Sequence, residues 1–502
     1  MVDLGLGYLA LDRAVPTLSA GELQRLRLAT QLRSGLFGVV YVLDEPSAGL
    51  HPADTEALQA VLLGLRDAGN TVLLVEHDLE LVRHADWLVD VGPGAGGAGG
   101  QVLHSGPVAG LQDVPTSVTR PYLAPGHRPA LRAQPRTPSG WLELHDVSAH
   151  NLRGLDVAFP LGVLTVVTGV SGAGKSTLVT GVLADVVRAH LGLPDEPEEE
   201  PADDADAAPD EDEPDEAVGP QRALVPWRAA GRVTGLEAVR RLVLVDQRPI
   251  GRTPRSNLAT YTGLFDAVRT AFARTSEARR RRWTASRFSF NVAAGRCPTC
   301  RGEGFLAVRM LFLPGSYSPC PTCRGSRYAA ETLEVTHRGR TIADVLDLDV
   351  DSALTALDDI PAAVRGLTAL RDVGLGYLRL GQPATELSGG EAQRIKLATE
   401  LQRSRLAGTL YLLDEPTTGL HPADVERLLR LLQGLVDAGS TVVVVEHDAA
   451  VALSADWLVD LGPGGGDAGG RVVDTGPPVD VARRQAGPTG VHLVRRLGAA
   501  AD

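Results

Sequence analysis

The chain has 502 residues, 44% of them hydrophobic and 22% charged, so it can build two to four domains with sizeable cores and has the make-up of a soluble globular protein. No apolar run is long enough to span a bilayer and no signal peptide opens the chain, so a membrane protein is not expected and the expected location is cytoplasmic. The net charge of −13 sits in one place: residues 195–216 hold 14 Asp and Glu and no basic residue, and without them the charge is +1, so acidity does not argue against a nucleic-acid partner.

Residues 3–107 and 372–477 repeat each other, at an offset of 369 and then 370. A long internal repeat sets architecture before any local pattern does. In chain order, 1–110 reads as part of a first nucleotide-binding lobe. Val39–Leu43 and Val72–Val75 are short apolar runs expected as buried parallel strands, with a helix over 54–68 between them. Strand, helix, strand implies α/β architecture with a parallel sheet. The Gly-rich stretch 92–100 reads as loop, and 111–140, rich in Pro, Arg and Ala, as a linker. A second lobe starts at 141–193, with a strand over Val163–Thr168. The acidic insert 194–218 is expected to be disordered. Residues 219–295 carry a strand (242–246) and an Arg-rich segment, 296–330 a cysteine module, and 331–385 a largely helical region. Residues 386–480 complete the second lobe, and 481–502 form a tail.

The glycine loop Gly169-Val-Ser171-Gly172-Ala-Gly174-Lys175-Ser176-Thr177 follows a strand and opens a helical pattern. Its glycines let backbone N–H groups wrap phosphate oxygens, Lys175 reaches the β- and γ-phosphates, and the Ser176 hydroxyl suits Mg²⁺. Asp414 and Glu415 close the apolar run Leu410–Leu413. The first carboxylate suits Mg²⁺ and the second suits polarising an attacking water, with His447 after the run Thr441–Val445 facing the γ-phosphate. Gln247 follows a strand. Ser388-Gly389-Gly390-Glu391 opens a helix over Ala392–Gln402 and reads either as an anion site or as an ordinary capping box. The first lobe repeats the same features as Ser19-Ala20-Gly21, Asp44, Glu45 and His77, with no glycine loop beside them.

All four cysteines fall in Cys297-Pro-Thr-Cys300 and Cys320-Pro-Thr-Cys323. Two such pairs suit one tetrahedral Zn²⁺, against the alternatives of a redox pair or buried free thiols. Eight Arg lie from Arg269 to Arg296, among them Arg279, Arg280, Arg281, Arg282 and Arg287, interleaved with Phe272, Trp283, Phe288 and Phe290. They read as a phosphate-binding surface with stacking aromatics, or as a solvated face over core aromatics.

Taken in order, the motifs resemble the ATP-binding cassette superfamily. The cysteine module inside a cassette, with the segments 245–257, 259–263, 288–292, 312–314, 331–335 and 387–394, is similar to the UvrA family, the damage-recognition ATPases of bacterial nucleotide excision repair. That resemblance implies two cassette lobes with a zinc module and a helical signature domain, ATP, Mg²⁺ and Zn²⁺ as cofactors, a homodimer, and binding to damaged double-stranded DNA without nuclease activity of its own. It also implies each ATP lying between one lobe's glycine loop and the other's signature, so that Ser19 and Gly21 close the site built on Lys175. Asp44, Glu45, His77, Ser388, Gly389 and Gly390 would then be remnants of a second site. Docking of the partner UvrB is expected to be absent or weak, since the segment that carries it in the family does not precede residue 1. An idle DNA-binding or regulatory paralogue, tolerance of DNA-binding drugs, and a fragment of a longer protein remain open readings.

Overall fold

The computed structural model describes residues 6–7, 9, 20–32, 37–124, 134–193, 230–246, 248–251, 253–308, 316–402 and 407–498. The acidic insert expected to be disordered lies outside them, as do Ser19 and Gln247. The described residues form two compact units. One takes those of 1–199, 210–246 and 405–502, the other those of 247–404.

The first lobe opens with α1 (Ala20–Leu32) and β1 (Val40–Asp44). Next comes α2 (Pro52–Asp67), which starts where its chemistry dictates: the His51 ring accepts the Ala53 N–H, Pro52 needs no N–H in the first turn, and Asp54 meets the positive helix end. Its buried residues Thr55, Leu58, Leu62 and Leu65 recur at helical spacing and cover one face of β1 and β2 (Thr71–Val75), which pair in parallel. β3 (Leu88–Gly92) and β4 (Gln101–Gly106) form a separate antiparallel pair. The stretch read as a linker begins with structure of its own: Leu111, Tyr122 and Leu123 are buried against Leu79, because apolar residues punctuate its Pro and Arg.

The second lobe continues with β5 (Gly140–Ala149), β6 (Leu152–Leu161), β7 (Leu164–Gly169), a π-helical turn over Thr177–Leu183 running into α3 (Ala184–His190), β8 (Arg232–Thr234) and β9 (Arg241–Val245).

The other unit comes next, with α4 (Leu264–Ala273), α5 (Ser276–Arg280), the hairpin β10 (Phe305–Val308) and β11 (Ser316–Pro319), α6 (Pro361–Asp372) and α7 (Gly389–Gln402). Residues 331–385 are mostly helical, and the helices Ile342–Asp347 and Val350–Ala356 are started by the polar caps Thr341 and Asp349.

The chain then finishes the second lobe with β12 (Thr409–Asp414), α8 (Pro422–Asp437), β13 (Thr441–Val445), β14 (Trp457–Gly462), β15 (Arg471–Gly476) and α9 (Pro488–Gly498). Its sheet has the order β15-β14-β7-β13-β12-β9. β7 lies between β13 and β14, parallel to both and wholly buried, which its run of Leu, Thr and Val requires. The front half of the lobe covers this sheet: Leu412, Val443, Val445, Val459 and Leu461 pack with Leu142, Leu178, Val182 and Val187. In the first lobe no strand among the described residues pairs with both β2 and β3, and the equivalent side chains Val42, Leu73, Val75, Val89 and Val91 are exposed, Val42 by 68%.

Candidate nucleotide site and cysteine centre

β7, β12 and β13 end at the same edge of one sheet, so the loops that leave these three strands meet there. After β7 the chain turns through Gly169, Gly172 and Gly174, at φ of +140, +74 and +101°. Only glycine fits the first of these, since a Cβ there would stand 2.2 Å from the Leu461 carbonyl oxygen. Lys175 folds back over the loop, its ammonium donating to the carbonyls of Gly169 and Val170 at 3.0 Å each. Burial lowers its pKa, against the attraction of Glu415, Asp414, Asp54 and Asp460.

The Ser176 hydroxyl donates to Asp414 at 3.2 Å. Burial, and then Glu415 beside it, push the Asp414 carboxyl up to about 7. Glu415 sits at φ +48°, in the left-handed region, with its N–H on the Val445 carbonyl at 2.9 Å. That backbone turns its carboxylate to His447 Nε2 at 3.3 Å. Burial, then the Lys175 charge, hold His447 well below the usual histidine range, so its ring is neutral at pH 7. Two buried polar atoms here, Ser171 Oγ and His447 Nδ1, have no partner among the described residues. Unused polar capacity beside an ammonium, with a hydroxyl–carboxylate pair that a hard cation accepts, fits a magnesium nucleotide.

The first lobe copies the back of this site. Glu45 has φ +44° and lies 3.4 Å from His77. The His77 side chain is more open, and the Glu45 contact raises its pKa. Glu45, His77, Glu415 and His447 line one cavity of ≈ 970 Å³. The two lobes approach closely across it: a Cβ on Gly49 would stand 2.8 Å from Glu415 Oε2, and one on Gly419 3.0 Å from Glu45 Oε2. Asp44 ends β1 as Asp414 ends β12. Gly21 lies in the first turn of α1, and one turn on the charge of Arg25 also bears on His447. In the other unit, Ser388 accepts the Glu391 N–H at 3.2 Å and Glu391 accepts the Ser388 N–H at 2.9 Å, so the signature displays its capping box, with Gly389 and Gly390 opening α7.

Several supporting residues carry no mark in the local sequence. Glu446 accepts from the N–H and hydroxyl of Thr417 and from the His447 N–H, and Glu76 does the same for Ser47 and His77. Asn151 donates its amide to the Gly172 carbonyl at 3.1 Å. Two hydroxyl relays cross between the lobes: His51 to Thr489 to Asp460, and His421 to Thr119 to Asp90. The one signal for them is the repeat itself. At the offset of 370, His51, Asp90 and Thr119 match His421, Asp460 and Thr489, the last pair beyond the end of the repeat at 107 and 477.

The sulfur atoms of Cys297, Cys300, Cys320 and Cys323 lie within 4.8 Å of one another, those of Cys300 and Cys323 at 3.6 Å. A tetrahedron of Zn–S bonds has edges of about 3.8 Å, so the donor set fits zinc in number, chemistry and spacing. The Gly304 N–H donates to Cys300 Sγ, the kind of contact that supports a thiolate. The Arg-rich segment divides. Phe272, Phe288 and Phe290 are buried, so they pack rather than stack on a ligand. The guanidinium groups of Arg281 and Arg287 lie over the Trp283 ring, at 4.9 and 4.2 Å from its centre. Arg280 pairs with Glu277, Arg281 with Glu334 and Arg287 with Glu331, while Arg279 and Arg282 are exposed.

A family model described as "AAA domain, putative AbiEii toxin, Type IV TA system" matches residues 366–453. Over 504 residues the chain is 51% identical to UvrABC system protein A of Mycobacterium bovis, covering all of this chain and 49% of that protein. With the Thermus thermophilus protein of the same name it shares 50% over 509 residues, covering 100% and 50%. UvrA2 from Deinococcus radiodurans superposes with a TM-score of 0.88 at 57% identity, over 99% of this chain and 56% of that one. The chain is UvrA-like. It spans about half the length of the curated relatives it matches. A model of ribosome-bound archaeal Pelota and ABCE1, 18% identical with a TM-score of 0.53 over 96% of this chain and 60% of that one, shares the fold alone. The fold class is α/β, with lobes of the ATP-binding cassette type. No described helix is long and apolar enough to cross a membrane.

Proposed function

We propose that the chain is a UvrA-type, DNA-binding ATPase that takes part in recognising damaged double-stranded DNA or in tolerance of DNA-binding drugs, as a cytoplasmic homodimer. The observation that carries the ATPase reading is the gathering of Lys175, the Ser176–Asp414 pair and the Glu415–His447 pair at one sheet edge. In this reading Lys175 and the loop N–H groups bind phosphates. Ser176 and Asp414 would hold Mg²⁺, whose charge neutralises the phosphate oxygens. Glu415, oriented by His447, takes the proton of an attacking water. Gly21, in the first turn of α1, belongs to the signature that would close the site. The four cysteines hold a structural Zn²⁺, and Arg279 and Arg282 are the guanidinium groups best placed for DNA phosphates.

One nucleotide per chain is expected. Equilibrium binding of a non-hydrolysable ATP analogue tests it: Lys175→Ala should abolish binding. Glu415→Gln should retain binding while hydrolysis falls about a hundredfold or more, and Glu45→Gln should change hydrolysis little. Two sites of similar affinity, or full binding by Lys175→Ala, would overturn the one-site reading.

The exposed face of the first-lobe sheet favours one further reading. Val42, Leu73, Val75, Val89 and Val91, left open there, have the buried counterparts Leu412, Val443, Val445, Val459 and Leu461 in the second lobe, which pack with residues of 141–193. A segment of the same strand–loop–helix kind, on the same polypeptide or another, would complete the first lobe and supply a second phosphate loop.

A further inference from the structure

The first turn of α2, which belongs to the first lobe, touches the phosphate loop of the second. Asp54 Oδ2 accepts the backbone N–H of Ser171 at 3.1 Å. The start of α2, and with it the backbone of Asp54, is held by a chain of hydrogen bonds that reaches Ala53. Thr489 donates its one hydroxyl proton to Asp460 at 2.6 Å, so its oxygen must accept from His51 Nε2–H at 3.1 Å. The His51 Nδ1 lone pair is then free to accept the Ala53 N–H at 3.2 Å, one residue before Asp54. Asp460 also accepts from Thr168 at 2.9 Å, and Thr168 directly precedes the loop. The path therefore leaves the loop at Thr168 and returns to it at Ser171.

The mirror relay is built alike: Thr119 donates to Asp90 at 2.9 Å, His421 Nε2 lies 3.2 Å from Thr119, and the Ala423 N–H reaches His421 Nδ1 at 3.2 Å. Yet Asp424, the counterpart of Asp54, pairs with Arg427 on its own helix.

An N–H of a phosphate loop serves one good acceptor at a time. We propose that Asp54 is a positioning residue supplied by the first lobe to the nucleotide site of the second: its carboxylate holds the loop at Ser171 and is exchanged for a phosphate oxygen, so that filling the site frees the start of α2. This rests on the reading of the loop as a nucleotide site. It makes site occupancy legible to the neighbouring lobe through a carboxylate that the bound phosphates expel by charge as well as by competition.

The experiment measures binding of a non-hydrolysable ATP analogue and of ADP to the full chain. It compares wild type, Asp54→Asn, Asp54→Glu, and Asp67→Asn at the far end of the same helix, with melting curves confirming that each variant folds. Amide exchange at residues 52–58 is read with and without the analogue. Asp54→Asn should bind the analogue at least about fivefold more tightly, with a smaller gain for ADP, as expected for a coupling of ordinary size. Asp54→Glu should restore affinity toward wild type, and Asp67→Asn should change nothing. Exchange at 52–58 should rise on adding the analogue to wild type and should already be raised in Asp54→Asn. Equal or weaker binding by Asp54→Asn, or exchange indifferent to the analogue, overturns the proposal. If wild type binds no better than Lys175→Ala, the nucleotide reading falls and takes this inference with it.

Discussion

Glu45 and Glu415 hold a backbone conformation that costs a side chain with a Cβ of order 1–3 kcal/mol, and both keep it. The strain buys aim: each carboxylate turns to the histidine at the end of the next strand. Replacing Glu415 by Gly should therefore raise stability by up to about 1 kcal/mol while abolishing hydrolysis. Glu45→Gly should stabilise similarly and leave hydrolysis nearly intact; thermal melts and phosphate release check both. The two histidines should also titrate apart. His77 is raised by Glu45 above the ordinary 6.5, so its contact stabilises the fold fully below 6.5 and fades as pH rises through the raised value. His447 is depressed by burial, so the unfolded chain takes up the proton first, and its contribution is lost as pH falls below 6.5. NMR titration should show His77 changing above pH 6.5, moved down by Glu45→Gln, and His447 unchanged through pH 6. At this scale the sequence was informative where the chemistry is contiguous, as in the glycine loop. The relay through His51, Thr489 and Asp460 joins common residues hundreds of positions apart, and no local pattern marks them.

Among the elements, the hairpin β10–β11 is the least able to stand alone. It pairs four residues with four, and the cluster at its base consists of the cysteines and Leu306. Thiolate–metal bonds must supply what apolar burial does not. Metal analysis should find about one zinc per chain, and Cys320→Ser should lose it together with the amide protection of residues 296–328. Folded protein with no zinc and full protection would refute the centre. The Arg-rich helix makes a narrower expectation than its composition suggested. Arg281 and Arg287 are engaged with carboxylates and Trp283, so Arg279→Ala with Arg282→Ala should account for most of the change in salt slope of DNA binding produced by the whole run. Periodicity placed α2 and the strands around it along the chain, but the runs Val39–Leu43 and Val72–Val75 read as buried on both faces, whereas Val42, Leu73 and Val75 are exposed because no described segment covers that face. It could not divide the aromatics between core and surface, because Phe272 and Trp283 differ in partners rather than in pattern.

Across the whole chain, the repeat builds two half-cores of unequal completeness. Leu412 and Val42 stand at equivalent positions, one fully buried and the other 68% exposed. Leu412→Ala should cost about 2–5 kcal/mol, whereas Val42→Ala should stay within about 0.5 kcal/mol. Denaturant titration of the two variants reads the difference directly. The repeat in the sequence announced two related lobes, and the single glycine loop announced their inequality. Their cross-bracing through paired Thr–Asp relays became visible only in three dimensions.

That open sheet has a colloidal consequence. Among the described residues β2 pairs on one side only, with β1, and its other edge lies beside a row of Val and Leu side chains, the arrangement that templates strand addition between molecules. Purified alone and concentrated or warmed, the chain should self-associate through residues 40–44 and 71–75 before either unit unfolds. Light scattering would follow the onset, and Val42→Lys with Leu73→Lys should delay it without lowering the melting temperature. A protein that remained monodisperse with and without those lysines would show that the edge is already protected.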